Sequence, residues 1–394
     1  MQSAFDSHVR LIQLSPLLSI LLLALSCGGP STQEQMIEPY SEARAQLLKE
    51  LRDEVITPAL DTFQTETLAF KEKVASQDRE AAQDAWKSMA LAWQKLEMLQ
   101  IGPAGASSDR VGGQDLRDHI YSFPLQSPCR VEQEWINQGY ATPEWGIAAA
   151  FNLKGIDAAE HLLFQEGVAS SCPEQIQIVV DGSWSRFMSD PQESEPARWG
   201  YLAVIAEDIH LRATALVDEW KGDFGRAFTE ATTPFQNQRE AIDQVFAGMY
   251  YFDRFVKDFK VGGPSGIYMT CLEDSCPEQL EHHLSGISRD ALLSNIESLA
   301  AVLGEVSAAR SKGFAALLVD VGAAELAEEL IELARQAKVQ VSALNDDLKA
   351  QLADDPEQMR MAHATISRLA DLLESQFVTT LNLSVPQEGA GDND

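Results

Sequence analysis

Apolar residues recur at helical intervals along most of the chain. Between about Gln33 and Ala75, Leu47, Leu48, Leu51, Val55, Leu60, Phe63, Leu68 and Val74 fall mostly at the steps that line one side of a helix. Pro58 permits a kink or break in that run. A second helix is predicted from about Asp78 to Gln100, with a stripe of Trp86, Ala90, Trp93, Glu97 and Ile101 that carries one acid among aromatic and aliphatic neighbours. Ile101-Gly-Pro103 stops it. A long Gly-, Ser- and Pro-rich connection follows, holding a short segment from Leu116 to Phe123 and a helix near Val131 to Gln138; connections of this length in compact domains are often functional. Thr142 as N-cap and Pro143 at the first helical position mark the start of a central helix. Gly155 inside it is costly, so either the helix begins nearer Asn152 or the backbone there passes close to something. A fourth helix, about Arg198 to Lys221, ends at Gly222. A second set is predicted at about Pro234–Phe259, Ser288–Ser311, Ala323–Leu352 and Pro356–Thr379. Without convincing period-2 alternation, the chain is expected to be all-α, with two tandem four-helix bundles over 28–222 and 223–394, the second closing in a short acidic tail.

The central helix carries the chemistry. In Lys154-Gly-Ile-Asp-Ala-Ala-Glu-His-Leu-Leu-Phe164, the residues Asp157, Glu160 and His161 stand at i, i+3 and i+4, a spacing that places side chains on one helix surface. Ile156, Ala159, Leu162 and Leu163 form the packing side of the same turns. Carboxylates brought that close to a core need a partner: a cation, an Arg or a metal ion. Spacing alone fits an acidic solvated edge equally well. Arg110 and Arg117 in the long connection offer neutralisation without any metal.

The first 27 residues are expected to be a signal peptide, because the apolar run Leu17–Leu25 is too short to span a bilayer. It ends in Leu-Ala-Leu-Ser-Cys27, which resembles the lipobox of bacterial lipoproteins, with Ala24 where Leu is usual; the alternative is an ordinary cleaved signal with a chance cysteine. Cys27 would then be the lipidated N-terminus and the membrane anchor, and Gly28 in place of Asp suggests sorting to the outer membrane, facing the periplasm. In an exported chain the four remaining cysteines suggest disulfides, and pairings within each half join Cys271 to Cys276 and Cys129 to Cys172. No CxxC or Cys/His spacing indicates structural zinc. A net charge of −30 excludes nucleic acid and anionic membrane surfaces as electrostatic partners and favours cations. Trp86, Trp93, Trp145 and Trp184 are expected in the core, Ser288 as a helix cap, and the tandem His282 and His283 in an exposed loop.

Several separate pieces resemble the imelysin-like family of bacterial envelope proteins, historically called insulin-cleaving metallopeptidases, over nearly all of the mature chain. Trp93-Gln-Lys-Leu-Glu97 with Ile101-Gly-Pro103 is similar to the family's Trp…Glu…Gly-Pro segment, and Ile120-Tyr-Ser-Phe-Pro124 to its aromatic-Pro segment, with Phe123 where Trp is usual. Gly155-Ile-Asp-Ala-Ala-Glu160 is similar to the signature G-x-H-x-x-E. Pro264-Ser-Gly266 and then Glu281…Ser285…Ser288 are similar to segments of the second half, and Gly391–Asp394 to the acidic C-terminus. The resemblance implies two four-helix bundles with the signature at their interface, and an association with iron acquisition. This chain departs from the signature at Asp157, which stands where the family has His. A zinc hydrolase of the H-E-x-x-H kind needs two imidazoles and an open position. An oxygen set of Asp157, Glu160, Glu97 and Glu281 would suit a harder divalent ion such as iron, Mn²⁺ or Ca²⁺. The expectation is therefore a metal-binding or iron-uptake accessory with an acidic pocket and no catalytic residues. A metallopeptidase is the first alternative, and an envelope protein that binds a peptide or small ligand the second.

Overall fold

In the computed structural model of the protein, residues 40–305 and 311–386 are described, and Pro39–Asp394 forms one compact unit. The leader with Cys27 and the ending Gly391–Asp394 lie outside the described residues. Among the described residues the regular structure is helical, apart from one isolated antiparallel bridge between Glu305 and Lys312. No described helix is long and apolar enough to cross a membrane.

The first helix, α1 (Ser41–Glu50), runs through a π-helical stretch, Leu51–Ile56, into α2 (Thr57–Ser76) without a break. The break that Pro58 permits is not used: the residue sits in the first turn after the π stretch, where the wider turn accommodates a residue without an N–H. Helix α3 (Arg79–Gln94) is started by Asp78, whose side chain accepts from the Ala81 N–H at 3.1 Å. It stops short of the predicted Gln100, as successive turns carry the chain through Glu97 towards Gly102. The connection that follows holds short helices at Leu116–Ile120 and Pro128–Asn137.

Thr142 does not start the central helix; only a single turn, Trp145–Ala148, follows it, and the Thr142 hydroxyl donates to the Gly139 carbonyl at 3.0 Å. Helix α4 spans Gly155–Phe164. Its first residue explains the displaced start. Gly155 has φ +82, and a Cβ there would lie 2.5 Å from the Ile120 carbonyl oxygen, so only glycine lets the two backbones meet. Helix α5 (Pro191–Lys221) and α6 (Gln238–Met249) follow, with a second π-helical stretch at Phe252–Gly262. Helix α7 (Ser288–Leu303) ends earlier than predicted because Gly304 takes φ +83 against the Lys312 carbonyl and turns the chain into the bridge. Helix α8 (Ala324–Ser342) also stops early, since Asp347 caps a new helix at Leu348–Asp354 by accepting from the Lys349 and Ala350 N–H groups. Helix α9 spans Glu357–Leu372.

The helices pack in two groups. In the first, α5 lies along α2, α2 along α3, and α4 against both α3 and α5. In the second, α8 packs on α7 and on α9, which packs on the π stretch 252–262. Contact between α3 and α7 joins them, with Gln94 and Lys95 at the C-terminal end of α3 bonded to Asn295 and Ser298 in the middle of α7. Trp86, Trp93, Trp135, Trp184 and Trp220 are fully buried, and each contributes about 4–6 kcal/mol of gross transfer free energy at about 25 cal/mol per Å². Disulfides join Cys129 to Cys172 and Cys271 to Cys276, with S–S distances of 2.06 and 2.02 Å.

Candidate functional site

Helix α4 brings Asp157 and Glu160 to a buried polar cluster. The backbone contact at Gly155 seats the start of α4 against Ile120, and the Trp86 indole N–H donates to the Ile156 carbonyl at 3.0 Å. That fixes Asp157 beside the segment that follows Ile120. One Asp157 oxygen, Oδ2, accepts from the Ser122 N–H at 2.7 Å and its hydroxyl at 3.0 Å; the other, Oδ1, is buried with no protein partner. Neither Arg110 nor Arg117 takes Asp157. The Arg117 guanidinium donates to Glu97 at 3.3 Å and to the Phe123 carbonyl at 2.8 Å, and Arg110 lies 3.3 Å from Asp109. Burial accordingly pushes the Asp157 carboxyl up to about 6, against the lowering influence of His282 and Ser122.

Glu160 is fully engaged. Its Oε1 accepts from the Ser285 N–H at 3.0 Å and the Ser285 hydroxyl at 2.8 Å, and its Oε2 lies 2.9 Å from His282 Nδ1. Burial works against this carboxylate, but His282 and Ser285 outweigh it and hold Glu160 below the usual range. His282 is not an exposed loop residue as its tandem position suggests: it is 2% exposed, edge-on to Trp86 at 5.3 Å, and its backbone takes φ +57. That left-handed turn separates the pair, so His283 is half-buried and only its neighbour enters the cluster. Although burial disfavours the imidazolium, Glu160 and Glu281 raise His282 to about 8. His161, adjacent to Glu160, points elsewhere and lies 3.3 Å from the buried Glu132, as the angular divergence of neighbouring helical residues requires.

Glu281 completes the set from the turn before α7. Its Oε1 accepts from the Tyr121 hydroxyl and from Gln94 Nε2 at 3.2 Å, and lies 2.9 Å from Lys260 Nζ, while Oε2 has no protein partner. Burial is again outweighed, here by Lys260 and His282, and Glu281 is held below the usual range. The Lys260 ammonium also donates to Gln94 Oε1 at 2.7 Å and Asn295 Oδ1 at 2.8 Å. Ser288 is not a helix cap: as the first residue of α7 it donates its hydroxyl to the Glu281 carbonyl and closes the loop that holds the carboxylate.

Each of the four acids expected to hold a metal therefore sits in or beside one cluster, but three already face a cation of the protein: Glu97 has Arg117, Glu160 has His282 and Glu281 has Lys260. Among the described residues no three His, Cys, Asp or Glu side chains are gathered so as to hold a metal ion. The residues present do not fit a resident metal in this arrangement, because an incoming ion would have to displace a matched buried charge. The cluster opens through a cavity of about 20 Å³ lined by Asp157, Glu160, His161, His282, His283 and Ser127, with room for one or two water-sized groups. Gln94, Tyr121 and Ser122, which lie within two segments that carry the family resemblance but have no role assigned there, are members of the site, as are Lys260 and Asn295, which the sequence pattern does not single out.

No curated protein sequence matches the chain. Solved structures share its fold, among them two bacterial proteins. An imelysin-like protein from Psychrobacter arcticum 273-4 superposes with a TM-score of 0.65 at 15% identity, covering 88% of this chain and 97% of that one. A protein from Parabacteroides distasonis ATCC 8503 described as an iron-regulated protein A precursor superposes with a TM-score of 0.65 at 17% identity, covering 87% and 97%. The family model for imelysin, named as a peptidase family, matches residues 52–376, and the chain accordingly belongs to the imelysin family.

Proposed function

We propose that this imelysin-family protein is a lipid-anchored accessory of iron acquisition in the bacterial envelope, acting by binding and not by hydrolysis. The observation that carries the non-hydrolytic reading is the state of Asp157 and Glu160. A zinc hydrolase holds its ion with imidazole and carboxylate donors and keeps one position open for an activated water. Here the first signature position is a carboxyl tied to Ser122, and both oxygens of the second are taken by Ser285 and His282. The iron-related part of the reading is supported by family membership and by the description of the Parabacteroides relative as iron-regulated. The envelope location is supported by the lipobox-like ending at Cys27. A cavity of about 20 Å³ is far too small for a chelated iron complex, so cargo or partner would be met at the surface around the opening.

The test has two parts. Purified mature protein is incubated with unstructured peptides, with and without added Zn²⁺ and with a chelator; no chelator-sensitive cleavage is expected, and such cleavage would return the peptidase reading. Cellular iron under iron limitation is then measured in a deletion strain and in the strain complemented with the native chain. Equal iron content in both would remove the iron-acquisition reading.

A further inference from the structure

The mismatch between this site and a metal centre is most specific at Lys260. Its side chain is 1% exposed and its ammonium lies between three oxygens from three different parts of the fold: Gln94 Oε1 at 2.7 Å, Asn295 Oδ1 at 2.8 Å and Glu281 Oε1 at 2.9 Å. The rings of Tyr251 and Phe123 stand 5.3 and 5.7 Å from the same nitrogen. The oxygens are themselves held: the Asn295 side-chain amide donates to the Gln94 carbonyl at 2.8 Å and to Gln94 Oε1 at 2.9 Å, and Tyr121 donates to Glu281. A carboxylate and two amide oxygens converging on one point, with aromatic faces around them, are the donors of a hard-cation site. Lys260 comes from the π-helical stretch 252–262, an irregularity of the kind that recurs at functional sites.

We infer that Lys260 is a tethered internal cation, which holds the oxygen site of Gln94, Glu281 and Asn295 closed to divalent metal ions. The site is thus complete without a metal, and Lys260 sets its selectivity. Because Oε2 of Glu281 has no protein partner, removing the ammonium leaves a buried carboxylate without a counter-charge, its Oε2 open to an ion and its Oε1 held only by the neutral donors Tyr121 and Gln94. The inference concerns this cation site alone and does not depend on what the protein carries in the envelope.

The experiment compares the native chain with Lys260→Met and Lys260→Met/Glu281→Gln in urea unfolding, each titrated with Mn²⁺ and Ca²⁺. Lys260→Met is expected to gain a saturable, ion-dependent stabilisation, with an apparent affinity about tenfold or more above any response of the native chain or the double variant. Diffuse attraction of ions to a surface of net charge −30 would act on all three alike. Saturable stabilisation of the native chain that Glu281→Gln abolishes would overturn the inference, as would a folded Lys260→Met that responds to neither ion. Metal content gives an independent reading that needs no variant: native protein purified without chelator is expected to carry well under one Mn, Fe, Zn or Ca per chain, and a stoichiometric ion lost in Glu281→Gln would overturn the inference as well.

Discussion

The His282–Glu160 pair makes stability depend on pH in a direction opposite to ordinary acid unfolding. In the folded chain His282 is raised from 6.5 to about 8: burial disfavours its charge, but the Glu160 carboxylate at 2.9 Å, then Glu281 and Asp157, favour it more. Between these two pH values the native state holds a proton that the unfolded chain has released. The slope of unfolding free energy with pH is then negative, since it follows protons bound in the unfolded state minus those bound in the native state. The contribution is fully present below pH 6.5 and is lost as pH rises through about 8. A displacement of about 1.5 pH units, at about 1.36 kcal/mol each, makes the loss about 2 kcal/mol. His282→Gln removes the titration and keeps a hydrogen-bonding side chain of similar length. Urea unfolding of both proteins from pH 6.5 to 9 should show the native advantage shrinking by about 2 kcal/mol across the window. Taking the difference cancels groups common to both, such as Glu374, which burial and Asp253 raise to about 7. Asp157, at about 6, titrates at the lower edge of the window and is itself held down by His282, so the upper part of the window is the part that reports on the imidazole. A native advantage that stays flat or grows with pH would refute the assignment of a charged, Glu160-paired imidazole, and an NMR titration of the ring would show it directly.

Three other outcomes are expected. Gly155→Ala should cost about 1–3 kcal/mol in chemical denaturation, because φ +82 is strained for any L side chain and the new Cβ meets the Ile120 carbonyl; an unchanged midpoint would contradict that close approach. Mass mapping of non-reduced peptides should find Cys129 joined to Cys172 and Cys271 to Cys276, and Cys129→Ser with Cys172→Ser should lower stability by about 2–5 kcal/mol, whereas a cross-link between the two halves would contradict the fold. Cys27→Ser should move the protein from the membrane fraction to the soluble fraction, and continued sedimentation of the exported variant with membranes would contradict lipid anchoring through that residue.

The all-α architecture was legible because burial on one side of a helix leaves a period in the sequence, and the stripe through Trp86, Ala90 and Trp93 is that period made visible. Gly155 was legible as a problem, since a glycine amid strong helix formers calls for a reason, and the Ile120 carbonyl supplies it. The breaks at Leu303 and Ser342 were not, because each depends on a turn whose backbone no period encodes. The site divides the same way. Its acids could be nominated from local spacing and resemblance, but what each one faces is a tertiary fact. Lys260, in Phe-Val-Lys-Asp-Phe-Lys-Val, has the spacing of a solvated lysine beside Lys257, and its burial follows only from Gln94, Glu281 and Asn295 arriving from three other parts of the fold. His282 was hidden by its twin, since nothing in a His-His pair announces that a left-handed turn will bury one and leave the other half-exposed. A group of carboxylates in a sequence therefore fits a metal centre and an ion-paired core equally well, and the deciding quantity is how many buried cations the fold delivers to them. Here Arg117, His282 and Lys260 answer Glu97, Glu160 and Glu281, leaving Asp157 as the one acid without a counter-charge. The residue at which the chain departs from its family signature is thus also the one that lacks an ion-pair partner of its own, and burial raises its carboxyl to about 6 where the ion-paired Glu160 and Glu281 are held low.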